Sequence, residues 1–312
     1  MTDLRYDGRV AIVTGAGGNP GLGRSYAMLL AARGAKVLVN DYCVGPDGRG
    51  AISGTPDQVV DAIRAAGGEA LANYDSVATR DGASKIVADA IDAWGRVDIL
   101  INNAGIAPFA LFDEISDADI ERVVDVHLMG TIWMSRASWP HMRAQHYGRI
   151  VNVMSTVALG GVTHQAIYSG AKLGIFGLTQ GLALEGERHG IGANLVMPMA
   201  DTLAWQTMLD GAFSDEARQA NFVPDLVAPV AAWLAHETCS YNGRCLGTGA
   251  GAIHEIFISR TKGTEPDPAL TLESVGTKLR RARDRDGAIE FDPGEGNLPP
   301  NFQPKPYNAA PR

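Results

Sequence analysis

Tyr168 and Lys172 stand four residues apart in the stretch IYSGAKLG, and Ser155 lies thirteen residues before the tyrosine. On a helix, residues i and i+4 share one face, a turn apart. An ammonium beside a phenol favours the phenolate and lowers its pKa toward the working pH. A serine hydroxyl nearby could hydrogen-bond the same reacting oxygen. Together the three groups would pass a proton to or from an alcohol or ketone oxygen while a hydride moves at its carbon. The tyrosine–lysine spacing alone is common on ordinary helices, so its meaning depends on what positions it.

The surrounding chain alternates short apolar runs with helical patterns. RVAIVTG, KVLVND, ALANYDS, DILINNAG, GRIVNVMS and ANLVMP read as buried strands. Between them, GRSYAMLLAARGA, VVDAIRAAGGEA and GASKIVADAIDAWGRV read as helices. The stretch 115–142 reads as one long helix entered near Ser116, with Asp119 three residues on, as in a helix-start box. Strand–helix alternation of this kind predicts an α/β fold, a Rossmann-type doubly wound parallel sheet in a single domain with an extended C-terminal tail. Such sheets bind ligands at the carboxyl ends of their strands. Gly15, Asp41, Asp75, Asn102 and Ser155 all fall at or just past such ends.

TGAGGNPGLGR links the first strand to the first helix. Glycines there let the backbone turn tightly and approach a pyrophosphate, and the helix start offers free N–H groups. Gly21 and Gly23 keep the helix-side spacing of such turns. Gly15 lies two residues further back than usual, with the enlargement around Asn19 and Pro20. Asp41 ends the second strand, where a carboxylate accepts both adenosine ribose hydroxyls and repels a 2′-phosphate. Tyr42, not an arginine, follows it. The expected cofactor is therefore NAD. Asp75 would lie beside the adenine, with Ser76 and Val77, and NNAG would line the adenosine side through Asn103, Ala104 and Gly105.

Composition narrows the function classes. A net charge of −8 leaves no basic surplus for nucleic-acid phosphates. No apolar run approaches eighteen residues, and the N-terminus MTDLRYDGRVAIVTG carries no secretory pattern. Neither a membrane nor a nucleic-acid partner is expected, and a cytoplasmic location is. Cys43, Cys239 and Cys245 read as reduced thiols; no His/Cys cluster completes a metal site, so no metal is expected. The expected division is 1–263 as the dinucleotide-binding domain, including a substrate lid at about 199–222, and 264–312 as a helix with a Pro-rich arm.

These motifs together resemble the short-chain dehydrogenase/reductase family over roughly residues 6–260. Further likeness lies in LVNDY with the long loop 43–57 behind it, ANYDSV, YGRIVNV and HETCSYNGRCLGTGAGAIHEI. These are similar to the (3R)-hydroxyacyl-CoA dehydrogenases of the family and their bacterial relatives, which act on hydroxyacyl-CoA esters or steroids. The resemblance implies Tyr168 as general acid/base, Lys172 as its pKa tuner and ribose ligand, and Ser155 as partner of the substrate oxygen. It places Gly15, Gly21, Leu22 and Gly23 at the pyrophosphate, and Pro198 and Thr202 at the nicotinamide. A homodimer or homotetramer is implied, with contacts on 116–142 and 165–188.

The chain departs from the family pattern in three places. His127 replaces a frequent asparagine; it is either a packed core histidine or a residue that holds a water, holds a backbone carbonyl or titrates near neutral pH. Met154 stands where many relatives carry serine. Pro198–Met199 replaces Pro-Gly, which unsettles the nicotinamide-side contacts. Met197, Met199, Leu203, Trp205, Met208, Leu209 and Phe213 give the lid a bulky apolar character, or simply pack it on the core. Phe109, Leu111 and Phe112 could line the opposite wall. The expected substrate is a bulky lipid-like alcohol, a 3-hydroxyacyl-CoA or a hydroxysteroid of the 17β class. Arg280, Arg281 and Arg283 could grip CoA phosphates or form a solvated helix face. An enoyl reductase would space tyrosine and lysine by more than the four residues found here. A dinucleotide-binding sensor or scaffold without chemistry is opposed by the intact Ser–Tyr–Lys set.

Overall fold

Each apolar run becomes a strand because both of its faces are covered. In β1 (Val10–Thr14), Ala11 and Val13 point to one side, and Val10 and Ile12 to the other. The same alternation carries through β2 (Lys36–Asn40), β4 (Ile99–Asn102) and β5 (Gly148–Val153), and the two residue sets seed two separate cores. Helices α1 (Leu22–Ala32) and α2 (Thr55–Ala65) cover the first face, through Tyr26, Leu30, Val59 and Ile63. Helix α3 (Arg80–Trp94) covers the second, through Ile86, Val87 and Ala90.

The structure is a computed structural model that describes residues 3–50, 55–202, 206 and 221–290. Among these, eight strands form one sheet in the order β3-β2-β1-β4-β5-β6-β7-β8. Here β3 is Glu69–Asn73, β6 is Ile191–Met199, β7 is Cys245–Gly249 and β8 is Ala252–Ile256. All pairings are parallel except β7–β8, an antiparallel hairpin at the edge. The chain runs outward from β1 in one direction to β3, then returns to β4 and continues the other way. The crevice between the carboxyl ends of β1 and β4 is the switch point where ligands of such sheets bind. Buried Asp98 fixes that junction from the opposite end of the strands. It accepts hydrogen bonds from the Val10 N–H at 2.9 Å and from Arg96 Nε at 2.7 Å, and pairs with Arg9 at 3.1 Å.

The long helix expected over 115–142 is three segments. Helix α4 (Asp117–Val124) starts at Ser116, whose Oγ accepts from the Asp119 N–H at 3.2 Å. A π turn spans Asp125–Met129, and α5 (Gly130–Gln145) follows. Inserted π turns often mark functional positions, and this one carries His127. A short α6 (Val157–Gly160) follows β5, and α7 (Ala166–Glu187) carries Tyr168 and Lys172. Helix α8 (Ala228–Ala235) and strands β7 and β8 complete this part, elements the strand and helix patterns above leave out.

Chain contacts group Met1–Ile256 in one unit and Phe257–Arg312 in another. In the second, β9 (Ser259–Arg260) pairs antiparallel with β10 (Ile289–Glu290). Between them lies α9 (Leu272–Ala282), started by a reciprocal cap between Thr271 and Ser274. The Pro-rich arm beyond 290 lies outside the described residues, as do lid residues Leu203, Trp205, Met208, Leu209 and Phe213. Among the described residues, no helix is long and apolar enough to cross a membrane.

Candidate active site

Three elements converge beside the switch point. Strand β5 ends at Val153 and delivers Ser155 two residues later. Helix α7 starts close by and turns Tyr168 and Lys172 inward, and both line one cleft with Ser155. Lys172 is only 4 % exposed, and its Nζ donates to the Val153 carbonyl at 2.8 Å. The amine sits 5.7 Å from the centre of the Tyr168 ring. A buried side-chain ladder locks the same elements together. Asn102 Nδ2 donates to Asn152 Oδ1 at 2.9 Å, and Asn152 Nδ2 to Thr179 Oγ1 at 2.9 Å, so β4, β5 and α7 share one register.

Burial governs the protonation of this cluster. It pushes the Tyr168 phenol above its ordinary value, and the hydrogen bond from Ser155 pulls the other way. It also draws the Lys172 ammonium down to about 7. The pairing expected from sequence, a full ammonium that lowers the phenol, is therefore outweighed by desolvation on both partners. His127 is 2 % exposed, and burial, reinforced by the charge of Lys172, lowers it to about 3. It stays neutral through the physiological range, so titration near neutral pH is set aside for it. Its Nε2 lies 2.6 Å from the Ile106 carbonyl oxygen, and its ring meets the Tyr168 ring edge-on at 5.0 Å. The imidazole thus braces both the catalytic tyrosine candidate and the backbone that follows NNAG.

The cleft has a volume of about 430 Å³, in the range of small-molecule sites. Gly15, Gly21 and Leu22 line its floor, and Asn103, Ala104 and Gly105 one wall. Asp41 stands at the β2 end with Ser76 and Val77, and Pro198 and Thr202 at the β6 end. Gly23 and Asp75 flank the cleft without lining it. Gly23 packs against Gly15 and Asn103, where a Cβ would collide with the Ala16 Cα at 2.8 Å. The Asp75 carboxylate accepts from Asn73 Nδ2 at 3.1 Å, and its carbonyl accepts from Asn40 Nδ2 at 2.8 Å.

The residues fit a dinucleotide. Gly21 caps α1 with no side-chain hydrogen bond, and the first turn has no acidic residue, which leaves N–H groups and the positive helix end to an anion. Nothing lies within 4 Å of where a Gly18 Cβ would stand, so the loop can be approached closely there. Both Asp41 oxygens accept backbone N–H groups, from Gly17 and Cys43 at 2.8 Å each. A carboxylate has lone pairs for further donors, such as two ribose hydroxyls.

Gly15 has φ +63°, and a Cβ on it would stand 2.6 Å from the Ala104 Cα. Gly15→Ala is expected to weaken dinucleotide binding by roughly tenfold or more, through strain of about 1–3 kcal/mol. NADH fluorescence titration checks this; unchanged affinity would show that the turn does not form the floor of the site.

Several site residues escape the sequence. Val44, Gly45 and Pro46, from the long loop after β2, line the cleft. Their position directly after the Asp41 strand was the available signal. Asp201 lines it too, two residues past the end of β6. No sequence pattern exposes the Val153 carbonyl that holds Lys172.

A family model described as "short chain dehydrogenase" matches residues 9–208. The chain is 44% identical over 260 residues to mouse peroxisomal multifunctional enzyme type 2, covering 83% of this chain and 34% of that protein. The solved full-length peroxisomal multifunctional enzyme type 2 from Drosophila melanogaster superimposes with a TM-score of 0.75 at 36% identity, over 93% of this chain and 48% of that one. A crystal structure of a short chain dehydrogenase from Mycobacterium avium gives a TM-score of 0.73 at 35% identity, over 89% and 97%. The chain thus spans about a third of the mouse enzyme, about half of the Drosophila one and nearly all of the mycobacterial one.

Proposed function

The chain belongs to the short-chain dehydrogenase family, an oxidoreductase of CH–OH groups with a nicotinamide cofactor, and we propose that it is an NAD-dependent 3-hydroxyacyl-CoA dehydrogenase. The observation that carries the reading is the cleft itself, with Asp41 at one end and Ser155, Tyr168 and Lys172 grouped at the other. The resemblance to hydroxyacyl-CoA dehydrogenases supports the substrate. So does Met199, an exposed apolar side chain in the lining of the cleft, which is suited to an acyl chain.

When bound, the nicotinamide ring supplies the acceptor or donor for the hydride. The protein supplies the proton chemistry and the geometry. In alcohol oxidation, Tyr168 Oη takes the hydroxyl proton, and Ser155 Oγ hydrogen-bonds the same substrate oxygen. In ketone reduction, the neutral phenol favoured by burial donates that proton. Lys172, held on the Val153 carbonyl, fixes the floor beneath the tyrosine and can exchange a proton near neutral pH. His127 stays neutral and sets the position of the Tyr168 ring. The protein acts as a homodimer or homotetramer in this reading, with contacts on 116–142 and 165–188; on the second, Leu173 and Leu184 stand exposed.

The test is a screen of 3-hydroxyacyl-CoAs and hydroxysteroids by absorbance at the NADH band, with NAD and NADP in parallel. Turnover of 3-hydroxyacyl-CoA with NAD supports the proposal. Turnover of hydroxysteroids alone replaces the substrate, and none with either class removes the reading. Asp41→Ala should shift the NADP-to-NAD ratio of kcat/KM upward by at least about tenfold, because it removes a charge that repels the 2′-phosphate. An unmoved ratio would place cofactor choice elsewhere.

A further inference from the structure

Of the charged residues that line the cleft, Asp41, Lys172 and Asp201, the reading above leaves Asp201 unused. The residue is only 7 % exposed. Oδ2 accepts from Gln206 Nε2 at 3.0 Å, and the Asp201 N–H donates to the Phe222 carbonyl at 2.6 Å. Oδ1 is buried with no hydrogen-bond partner among the described residues. A buried carboxylate oxygen left without a partner is costly, and burial sharpens its electrostatic influence on whatever lies beside it. Because Asp201 lines the cleft, a cationic group bound beside it would offset this uncompensated buried charge.

The sheet order says which part of a dinucleotide that would be. Asp41 follows β2, on one side of the switch point, and Asp201 follows β6, on the other. Strand β6 pairs with β5, which delivers Ser155, and Tyr168 lines the same end. With the adenosine held at Asp41, the redox half lies at the end shared by Ser155, Tyr168 and Asp201. The same segment holds Met199, where the family pattern has glycine, so the surroundings of a ring bound there would be this chain's own.

We propose that Asp201 is a dinucleotide-binding residue at the redox end, and that its charge favours the oxidised cofactor over the reduced one. The inference rests on the nicotinamide reading of the cleft. The oxidised pyridinium ring is a cation and the dihydropyridine ring is neutral. A nearby anion therefore stabilises the first and not the second, while hydrogen bonds to the shared carboxamide serve both forms alike. In an alcohol-oxidising cycle this charge assists capture of the oxidised cofactor and release of the reduced one.

The test uses the full chain and three probes, NAD⁺ and ADP-ribose by calorimetry and NADH by fluorescence. The unmodified protein should bind NAD⁺ at least as tightly as NADH. Asp201→Asn keeps size and polarity and removes charge. It should weaken NAD⁺ by about tenfold, change NADH by less than about twofold and leave ADP-ribose binding unchanged. Equal losses for NAD⁺ and NADH would make Asp201 a hydrogen-bonding residue only and overturn the proposal, as would no loss for either. NADH bound more than about tenfold tighter than NAD⁺ by the unmodified protein would overturn it without any variant. An unmodified protein that binds ADP-ribose but neither nicotinamide form would sink the cofactor reading itself, a result distinct from the others.

Discussion

Tyr168→Phe is expected to lower turnover about 10³-fold while dinucleotide affinity stays within about twofold of the unmodified protein. The substitution removes one oxygen and leaves the ring, which packs with Ile106, Val123 and Ala171 and stands edge-on to His127. The loss therefore reports proton transfer and not collapse of the site. Ser155 would still bond the substrate oxygen, and Lys172 would still hold the Val153 carbonyl. The pH profile carries the second half of the test. Burial raises the phenol above its ordinary value of 10, so the base form needed for alcohol oxidation is scarce at neutral pH and grows as pH rises. Oxidation by the unmodified protein should accelerate with pH toward 10, while ketone reduction, which needs the acid form, should not. The Phe variant should lose this contrast. Near-normal turnover in that variant would assign the proton to another group.

The parts of this site legible in the sequence are those fixed by short-range geometry. Tyr168 and Lys172 share a helix face because of the helical repeat, and Asp41 ends a strand because an apolar run stops there. The parallel sheet follows from strand–helix alternation that no other layer arrangement satisfies. What the sequence hid depends on distant segments meeting. The reversal of the expected tyrosine shift, and the lowering of Lys172, come from burial, which no spacing reports. The π turn at Asp125–Met129 interrupts a run whose apolar pattern fits an unbroken helix, and only packing against Tyr168 and Ile106 shows why His127 needs it. Strands β7 and β8 carry glycine and charged residues that mask their pattern; they form because β6 presents an open edge. Asp201 resembles any turn aspartate until its burial is known.

Lys172→Met is expected to abolish most activity, by about 10²-fold or more, and yet to stabilise the fold. Lysine is the charged member of the site most fully removed from water, and burial lowers its pKa from 10.5 to about 7. Between those values the unfolded chain keeps the proton and the folded chain has released it. Stability contributed through this group is thus lowest at and below pH 7 and rises with pH through the window, by up to about 1.4 kcal/mol per pH unit. Methionine has similar length, no charge and a flexible thioether that fills the same space. It removes the desolvation cost but leaves the Val153 carbonyl without its donor, which returns about 1–3 kcal/mol. The net gain at pH 7 should be about 1–3 kcal/mol, read as a higher denaturant midpoint, and should shrink toward zero or below as pH approaches 10.5. A variant less stable than the unmodified protein at pH 7, or an advantage constant across that range, would mean that the buried amine is not the strained charge described here. The expected pattern makes Lys172 a residue retained against stability, which is what a group that serves proton transfer to Tyr168, and not packing, should show.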